Sequence, residues 1–581
     1  MGRCHRHRVG KTPRHSVLDA GAGPRGSRRC GSSPDRKLTT ATQHGRPRDG
    51  FFRSAGIVSA AVAVSRITGL IRESVLSWLF GAGAIFDAYS VGYRVANLAR
   101  DLFAEGALSA AFVPTFTRYL TTRSREEAQE LSNITGTLLI VIVGAICALG
   151  MLFAGTFVEI LAPGFHAVPG KFELATQMVR TMFPFLLLVA MAAQAQGVLF
   201  ACGIFGVPSV SSSMFNIGSV ISGLILGYWL GPRLGISEVQ GMAYGILFGG
   251  AAQLLFQLPS VWHVGFAWRP QWSLHHEGVR HILRLMGPAI LGGAALQINL
   301  MVNTNIAAGL RDSAGHVLNG PVSWLSYAMR FQQLPMGLFG VSIASATLPR
   351  ISKCAAEHDL PAFRAILSRS IVTGLLLTIP SAAGLFLLGE SMIGIVYQHG
   401  RFAAFDTHQT SIALWCYAPG LAGYAAIKLL APAFYALGDA RTPMFVSLGS
   451  VIVNAVAATA LAHYSGLGFA GLALSLSLVS TVNAFTLATL IRRRTGGIDG
   501  RVIASSALRI LLATAVMAFA VRGVTMASHA LAASARVARI ADVAFGVPVG
   551  ALVFYAAASA FGIPEIQEAR ESLLRRFGKA R

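Results

Sequence analysis

Charged side chains inside apolar segments are the residues of this sequence most suited to binding chemistry. The stretch SRITGLIRES carries Arg66, Arg72 and Glu73 between apolar flanks long enough to cross a bilayer. A charge at the bilayer centre costs at least about 2.5–3.5 kcal/mol, so such residues generally face a water-filled cavity or pathway. At about 100° per helical residue, Arg66 and Glu73 share a face and Arg72 lies elsewhere. We expect both arginines to face a cavity and Glu73 to hold arginines as a counter-ion.

A second apolar segment, FDAYSVGYRVANLARDLFAEGALSAAFVP, holds five further charges. Asp87, Arg94 and Asp101 recur at seven-residue steps and therefore line one stripe of a helix, whereas Arg100 projects from another face. We expect Asp87 to be a counter-ion of an arginine. Arg94 is either a structural ion-pair partner or part of a cavity wall. Asp101 and Glu105 lie nearer the cytoplasmic end, where they could simply be solvated.

Two more intramembrane cations occur far along the chain, Arg330 in WLSYAMRFQQLPMG and Lys428 in GYAAIKLLAPAF. Lys428 could instead snorkel toward the membrane surface. Arginine suits phosphate because its planar fork makes paired, charge-assisted hydrogen bonds. The pattern predicts an alternating-access carrier for a large anionic, phosphorylated substrate. The predicted substrate-binding residues are Arg66, Arg72, Arg100 and Arg330, and the predicted supporting or cavity-lining residues are Glu73, Asp87, Arg94, Asn97 and Lys428.

The composition indicates a polytopic membrane protein. The 581 residues are 54% hydrophobic and only 13% charged, whereas soluble globular chains have about 25% charged residues. From residue 55 onward, apolar windows of about 20 residues recur, the length that a spanning helix needs. We therefore predict an all-α protein with fourteen transmembrane helices, near 55–80, 86–112, 133–161, 174–201, 208–230, 239–262, 282–308, 321–347, 366–389, 408–436, 443–463, 468–491, 503–524 and 540–561. The second and tenth windows could each contain a break.

The net charge of +23 is distributed as a topology signal rather than as a nucleic-acid surface. Lys and Arg concentrate in cytoplasmic loops. One set of alternating loops holds Arg118, Arg123, Arg125, Arg269, Arg280, Arg350, Lys353, Arg364, Arg441, Arg492, Arg493, Arg494 and Arg501. The other set holds only Lys171, Arg233, Arg311, Arg401, Arg522 and Arg536. The basic-rich set shares a side with both basic termini, so we predict that both ends are cytoplasmic and that no nucleic acid binds.

The chain also repeats itself at an offset of 235 residues. The segment ALSAAFVPTF resembles SIASATLPRI and pairs Pro114 with Pro349, and LFACGIFGVP resembles FYALGDARTP, pairing Gly203 with Gly438. Because the repeat spans six helices, the two halves insert in the same sense, as in carriers built from parallel repeats. We predict two six-helix lobes followed by two additional helices.

Catalytic and metal chemistry lack support in the sequence. No P-loop, HExxH or GxSxG motif occurs, which argues against an enzyme. The six cysteines show no CxxC spacing, and the histidines are scattered in loops, so we predict no metal site and no cofactor. The loop TTRSREEAQELS is interpreted as a solvated helix start in which Ser124 and Glu127 are spaced as a capping box.

Several long segments resemble the MurJ (MviN) lipid II flippases. These are SRITGLIRES, FGAGAIFDAYSVGYRVANLARDLFAEGALSAAFVP, SWLSYAMRFQQLPMGLFGVSIASATLPRIS, HGRFAAFDT and KLLAPAFYALGDARTP. The resemblance runs from about residue 53 to about 562. Glu73 stands where relatives often have Asp, which is a mild change. Asp101 stands where some relatives have Arg, and Met329 where some have Asp, and these two changes alter the expected pairing around Arg100 and Arg330.

The resemblance implies the fold of the MOP exporter superfamily and the transfer of lipid-linked peptidoglycan precursor to the periplasmic leaflet of the inner membrane. It implies that the cavity arginines and Asp87 are important, and that the last two helices form a groove for the polyprenyl tail. The implied divisions are a disordered basic cytoplasmic tail (1–52), an N-lobe (53–265), a C-lobe (266–495), the tail groove (496–562) and a basic cytoplasmic tail (563–581).

The expected partners are lipid II and membrane lipids, with cell-wall synthesis proteins as further candidates and a monomer as the expected state. Whether a coupling ion or the membrane potential drives the cycle is left open. Two alternatives stay open as well. One is a related carrier of another polyprenyl-linked oligosaccharide or a drug, and the other is a non-transporting scaffold or transferase of wall synthesis.

Overall fold

The apolar windows fold into helices throughout the described chain. The computed structural model describes residues 47–100 and 108–567, and within these ranges it contains no β-strand. Helices are expected because the bilayer core offers no hydrogen-bond partners, so a spanning segment must satisfy its backbone groups internally. The prediction of an all-α membrane protein is confirmed. Of the predicted disordered tail (1–52), residues 1–46 lie outside the described residues, whereas residues 47–52 begin the first helix, Pro47–Phe80, instead of being disordered. Asp101, Glu105 and the segment after residue 567 also lie outside the described residues.

The first half of the described chain contains ten α-helices. They are α1 (Pro47–Phe80), α2 (Ala84–Ala99), α3 (Ser109–Thr122), α4 (Arg125–Leu152), α5 (Ala154–Leu161), α6 (Lys171–Met182), α7 (Phe185–Ala201), α8 (Gly206–Leu224), α9 (Gly231–Leu234) and α10 (Glu238–His263). The predicted capping box begins α4, where the Ser124 hydroxyl accepts the Glu127 backbone N–H and the Glu127 carboxylate accepts the Ser124 N–H. That prediction is confirmed.

The second half contains eight α-helices and is followed by two more. They are α11 (Glu277–Gly309), α12 (Pro321–Pro335), α13 (Val341–Ala356), α14 (Leu360–Tyr397), α15 (Ala404–Tyr417), α16 (Gly420–Ala436), α17 (Arg441–Thr459), α18 (Phe469–Thr495), α19 (Gly500–Leu531) and α20 (Ala535–Ala560). The helices α19 and α20 pack against each other and against α14.

Nine helical stretches of the described residues are long and apolar enough to cross a membrane, or ten if the bent pair α15–α16 is one span. The four remaining predicted windows correspond to α1, to α2 with α3, to α11, and to α12 with α13. Two of these four carry buried charges, Arg72 and Glu73 on α1 and Asp87 on α2, while α12 carries the partly exposed Arg330 and α11 carries buried amides. These charged and amide side chains make the four windows less apolar than the other ten. The count of fourteen transmembrane helices therefore stays a prediction.

The 235-residue repeat is visible in the helix boundaries. The helices α16 and α17 begin and end 235 residues after α7 and α8, and the π-helical turns Ile225–Trp229 and Ala460–Tyr464 follow at the same spacing. Gly203 and Gly438 end α7 and α16 with φ of 80° and 74°, a conformation that favours glycine. In both halves the residue after this glycine donates its N–H to a carbonyl five residues earlier, at 2.9 Å.

Aromatic rings connect the two halves beside the site described below. The ring of Phe86 on α2 stacks on that of Tyr327 on α12 at 4.4 Å, and Tyr327 also contacts Tyr397 at 4.7 Å. The Tyr327 hydroxyl donates to the Gly81 carbonyl at 3.1 Å. All three rings are at most 3% exposed, so the halves are packed together here without intervening space.

Buried amides join α11, α17 and α18. The Asn454 amide donates to Asn303 Oδ1 at 2.8 Å, the Asn303 amide donates to the Leu472 carbonyl at 2.7 Å, and the Ser475 hydroxyl donates to Asn454 Oδ1 at 3.2 Å. Asn454 is fully buried. In a membrane protein such bonds hold helices together in place of the hydrophobic effect.

Replacing Asn454 by alanine is expected to lower thermal stability, because Asn303 and Ser475 would keep buried polar groups without this partner. An unpaired buried group costs about 1–3 kcal/mol. Thermal unfolding in detergent measures the effect, with Ser505→Ala as the matched control, since the Ser505 hydroxyl bonds only within its own helix, to Val502. An unchanged midpoint for Asn454→Ala would contradict the stabilising role.

A carboxylate outside the spanning segments connects α17 to α18. Asp439 accepts the backbone N–H groups of Arg441 and Thr442, the Thr442 hydroxyl and the Arg494 guanidinium. The Thr442 N–H and hydroxyl, followed by the Arg494 charge, hold the pKa of the Asp439 carboxyl below its ordinary value.

The stabilising contribution of Asp439 should depend on pH. A depressed folded-state pKa gives stability that is complete above the unfolded-state pKa of about 3.9 and is lost as the pH falls through the folded-state pKa. Asp439→Asn is therefore expected to unfold earlier than the wild type at pH 7 and to match it in strong acid. Unfolding curves across this range measure the difference, and Glu357→Gln is the exposed control. A pH-independent difference would be the contrary result.

Candidate functional site

Two adjoining chambers lie between the halves of the described chain. The Arg66 chamber, of about 310 Å³, is lined by α1, α2, α8, α10 and α12, and includes Arg66, Arg100, Phe215 and Gln253. The Arg94 chamber, of about 130 Å³, is lined by α1, α2, α11 and α12, and includes Glu73, Tyr89, Arg94 and Gln297. Both chambers share the side chains Arg72, Tyr93, Asn97, Arg330 and Gln333. The two chambers are therefore continuous at these five side chains, so that one ligand can contact both.

One carboxylate and two arginines join the halves at the boundary between the chambers. Glu73 Oε1 lies 2.9 Å from Arg72 Nη2 and 3.0 Å from Arg330 Nη2. Glu73 and Arg72 are buried, while the Arg330 side chain is 34% exposed. The predicted role of Glu73 as an arginine counter-ion agrees with this geometry, although Arg72 and Arg330 are its partners and Arg66 is not. A network of two cations and one anion keeps a net positive charge at this boundary.

Aromatic groups hold Arg72 at the boundary. Its guanidinium carbon lies 5.0 Å from the Tyr93 ring centre and 5.2 Å from that of Phe215. Its Nη1 donates to the Tyr93 hydroxyl at 3.4 Å, and its buried Nε has no hydrogen-bond partner in the described chain. Ring faces attract cations through their quadrupole, so the two rings help the Glu73 carboxylate to position Arg72 without adding a second negative charge.

All four predicted substrate-binding arginines line the Arg66 chamber. Arg66 passes close to the backbone of α12's C-terminal end, because a β-carbon placed on Gly337 would lie 3.0 Å from Arg66 Nη2. The Asn216 amide on α8 holds α1 in place by donating to the Ser65 carbonyl at 3.2 Å. The structure therefore brings the arginines of both halves around one space.

Asp87 departs from its predicted role. The sequence predicts an arginine partner, but Asp87 Oδ2 lies 2.8 Å from Lys171 Nζ on α6, and Lys171 also donates to Asn319 Oδ1 at 2.8 Å. Asp87 further accepts the backbone N–H groups of Gly320 at 2.9 Å and Ser323 at 3.0 Å, together with the Ser323 hydroxyl. It lies outside the walls of both chambers and instead caps the start of α12, because four orphan N–H groups at a helix N-terminus attract a carboxylate.

The remaining predicted residues fall in different places. Arg94 lines its chamber and donates hydrogen bonds to three neutral groups, the Leu300 carbonyl and the Thr304 and Ser326 hydroxyls. Asn97 lines both chambers. Lys428 is exposed on α16 and does not line either chamber.

Three residues that shape this site, Lys171, Tyr93 and Gln333, were not predicted from the sequence as site residues. The sequence places Lys171 among the loop cations, directly before an apolar span, yet it is only 2% exposed. Tyr93 and Gln333 are neutral and lie in long motifs, so no charge marked them. The i, i+4 spacing of Tyr89 and Tyr93 on the same stripe as Arg100 was the available signal.

Comparison with known proteins places the chain in a family. The family model described as "Lipid II flippase MurJ" matches residues 76–540. A relative named "Lipid II flippase MurJ" in Burkholderia cenocepacia is 32% identical over 451 residues, covering 76% of this chain and 84% of the relative. A relative named "Probable lipid II flippase MurJ" in Vibrio cholerae is 34% identical over 442 residues, covering 74% and 81%.

Solved structures with the same fold agree. One described as "Lipid II flippase MurJ, inward closed conformation" has a TM-score of 0.69 at 24% identity and covers 87% of this chain and 98% of that one. An inward-facing multidrug resistance MATE family transporter of the MOP superfamily has a TM-score of 0.62 at 17% identity, covering 74% of this chain and 94% of its own. The described chain thus shares the fold of these two transporters. By the extent of the family match and the identity to its members, the chain belongs to the lipid II flippase MurJ family.

Proposed function

We propose that this protein flips lipid II from the cytoplasmic to the periplasmic leaflet of the inner membrane by alternating access. The observation that carries the proposal is the ring of Arg66, Arg72, Arg100 and Arg330 around one chamber, contributed by both halves. Family membership supports lipid II as the cargo. Because transport of this kind changes no covalent bond, the protein acts as a carrier and not as an enzyme.

The diphosphate of the substrate would bind among these arginines. A diphosphate presents several anionic oxygens, and arginine forks bind such groups through paired hydrogen bonds. Arg330 is the most responsive group, because it is partly exposed and, within residues 47–100 and 108–567, is held by one carboxylate, Glu73. A bound diphosphate would compete with Glu73 for Arg330, which loosens the ionic contact between α1 and α12.

The Asp87 cluster would close the opposite end of the cavity. It connects α2 and α6 of the first half to the first turn of α12 in the second half. The stacked rings of Phe86 and Tyr327 lie beside it. In the cycle that we propose, this cluster is intact while the Arg66 chamber receives substrate from the cytoplasmic side, and it opens when the halves rock.

The wider arrangement is part of the same proposal. The N-lobe (53–265) and C-lobe (266–495) would move as two bodies, and α19 and α20 within 496–562 would hold the polyprenyl tail. Both termini would be cytoplasmic, and the protein would act as a monomer that cell-wall synthesis proteins could contact. The exposed apolar side chains on these two helices, including Phe519 at 81% and Phe545 at 63%, suit contact with hydrocarbon.

The membrane potential is the proposed bias on the return of the empty carrier. A potential acts on the net cavity charge by about 2.3 kcal/mol per charge per 100 mV. Flipping in proteoliposomes should then change with an imposed potassium diffusion potential, whereas insensitivity to potential would exclude this driving force.

Reconstitution with defined lipids tests the function. Proteoliposomes carrying the purified protein should make lipid II accessible in the opposite leaflet, and empty liposomes should not. A lipid-linked oligosaccharide without the peptide is the comparison cargo. Equal transport of both would favour the alternative of a broader polyprenyl-oligosaccharide carrier, and transport of neither would favour a scaffold role.

A further inference from the structure

The wall of the Arg94 chamber contains a cation, Arg94, that has no anionic partner in the part of the chain that the structure describes. Arg94 Nη1 donates to the Thr304 hydroxyl and, at 3.3 Å, to the Leu300 carbonyl on α11, and Nη2 donates to the Ser326 hydroxyl on α12 at 3.0 Å. In residues 47–100 and 108–567, no carboxylate lies within 4.0 Å of Arg94. These bonds fix the guanidinium in place without balancing its charge.

The fully buried cations of the same region each have a carboxylate partner. Arg72 has Glu73, and Lys171 has Asp87. A charge taken out of water without a counter-ion costs several kcal/mol. Arg94 is half-buried and bears part of this cost with no carboxylate partner among the described residues, so an anionic ligand in the chamber would offset it. Three of the five guanidinium N–H donors are accounted for by the bonds to Leu300, Thr304 and Ser326, which leaves donors for a ligand in the chamber.

The rest of the chamber suits the surroundings of a peptide carboxylate. Its neutral polar lining includes Tyr89, Ser90, Asn97, Gln297 and Gln333, and such hydroxyl and amide groups match the hydroxyl and amide groups of a glycopeptide. Because Arg72 and Arg330 line both chambers, a headgroup whose diphosphate occupies the Arg66 chamber extends directly toward Arg94.

We propose that Arg94 binds a carboxylate of the substrate's headgroup peptide, so that the Arg94 chamber selects for an acidic headgroup and the Arg66 chamber for the diphosphate. The inference rests on the proposed function, because it takes the substrate to be a polyprenyl diphosphate that carries a sugar-peptide. Arg94 is a specificity residue in this scheme, and Thr304 and Ser326 are its positioning residues.

A binding cycle with two proteins and two headgroups tests the proposal. Dissociation constants are measured in detergent for the wild type and Arg94→Gln, each with lipid II and with lipid II whose peptide carboxylates are amidated. Glutamine keeps a donor for Thr304 or Ser326 but removes the charge. We expect Arg94→Gln to weaken binding of lipid II by about tenfold, as expected for a charge-assisted pair, and to leave binding of the amidated lipid unchanged.

Polyprenyl diphosphate without a headgroup separates this proposal from the proposed function. Arg94→Gln should bind it as the wild type does, whereas Arg330→Gln should bind both it and lipid II more weakly. An equal loss with the acidic and amidated headgroups would overturn the carboxylate site and leave the diphosphate site standing. Failure of the wild type to bind any of the three lipids would overturn both proposals.

Discussion

Replacing Asp87 by asparagine is expected to stop flipping and to loosen the start of α12. The buried Lys171 ammonium would lose its counter-ion, and breaking a buried pair in this way costs about 3–5 kcal/mol. The N–H groups of Gly320 and Ser323 would lose a carboxylate acceptor at the same time. Because these groups belong to both halves, the state in which this end is closed would become at least about a hundredfold less populated.

Hydrogen–deuterium exchange measures this change directly, because the bonded N–H groups are themselves the reporters. Exchange in the peptide that contains Gly320 and Ser323 should accelerate in Asp87→Asn. Asp312→Asn is the matched control, since Asp312 also accepts backbone N–H groups, from Ala314 and His316 at 2.9 Å, but in an exposed loop. Normal exchange together with normal flipping in Asp87→Asn would refute the closing role of the cluster.

Replacing Glu73 by glutamine is expected to tighten substrate binding and yet slow transport. Removing the carboxylate leaves Arg72 and Arg330 without their shared counter-ion, so the chamber attracts a diphosphate more strongly. Two unit charges at 4 Å interact by about 4 kcal/mol at an effective dielectric constant of 20. The solvent exposure of Arg330 reduces this, and we expect about tenfold tighter binding.

The same substitution removes the group that competes with the substrate for Arg330, so release should become slow. We expect the flipping rate to fall at least about tenfold. Binding of polyprenyl diphosphate and flipping in proteoliposomes measure the two effects, and Glu73→Asp, which keeps the charge, is the control. Weaker binding by Glu73→Gln would show that Glu73 positions the arginines and does not compete with the substrate.

The site residues that can be predicted from the sequence are those whose unfavourable placement is visible in the surrounding segment itself. A charge in an apolar window is improbable without a function, and Arg66, Arg72, Arg100 and Arg330 stood out for that reason before any contact was known. The repeat was likewise visible because Gly203 and Gly438 each occupy a backbone conformation that favours glycine.

Partner choice was harder to predict because it depends on how distant helices approach. Helical geometry places Asp87 and Arg94 on one stripe, but it does not show that α6 brings Lys171 to Asp87, 84 positions away. Breaks within the transmembrane helices can also be predicted only in part from the sequence. The bend of 47° between α15 and α16 occurs at Pro419, within a window where a break was expected, whereas the matching interruption before Phe185 was not predicted.

Complementation of a bacterium depleted of its own flippase tests the central claim, that the arginines of the shared cavity bind the cargo. Arg66→Ala and Arg330→Ala are expressed beside the wild type and Lys353→Ala, whose lysine is exposed and pairs with Glu357 alone among the described residues. Losing charge-assisted hydrogen bonds worth about 1.5–3 kcal/mol each should lower flipping by about one to two orders of magnitude. We predict that the wild type and Lys353→Ala support growth and that neither cavity variant does. Full growth with both cavity variants, at normal protein levels, would contradict the account.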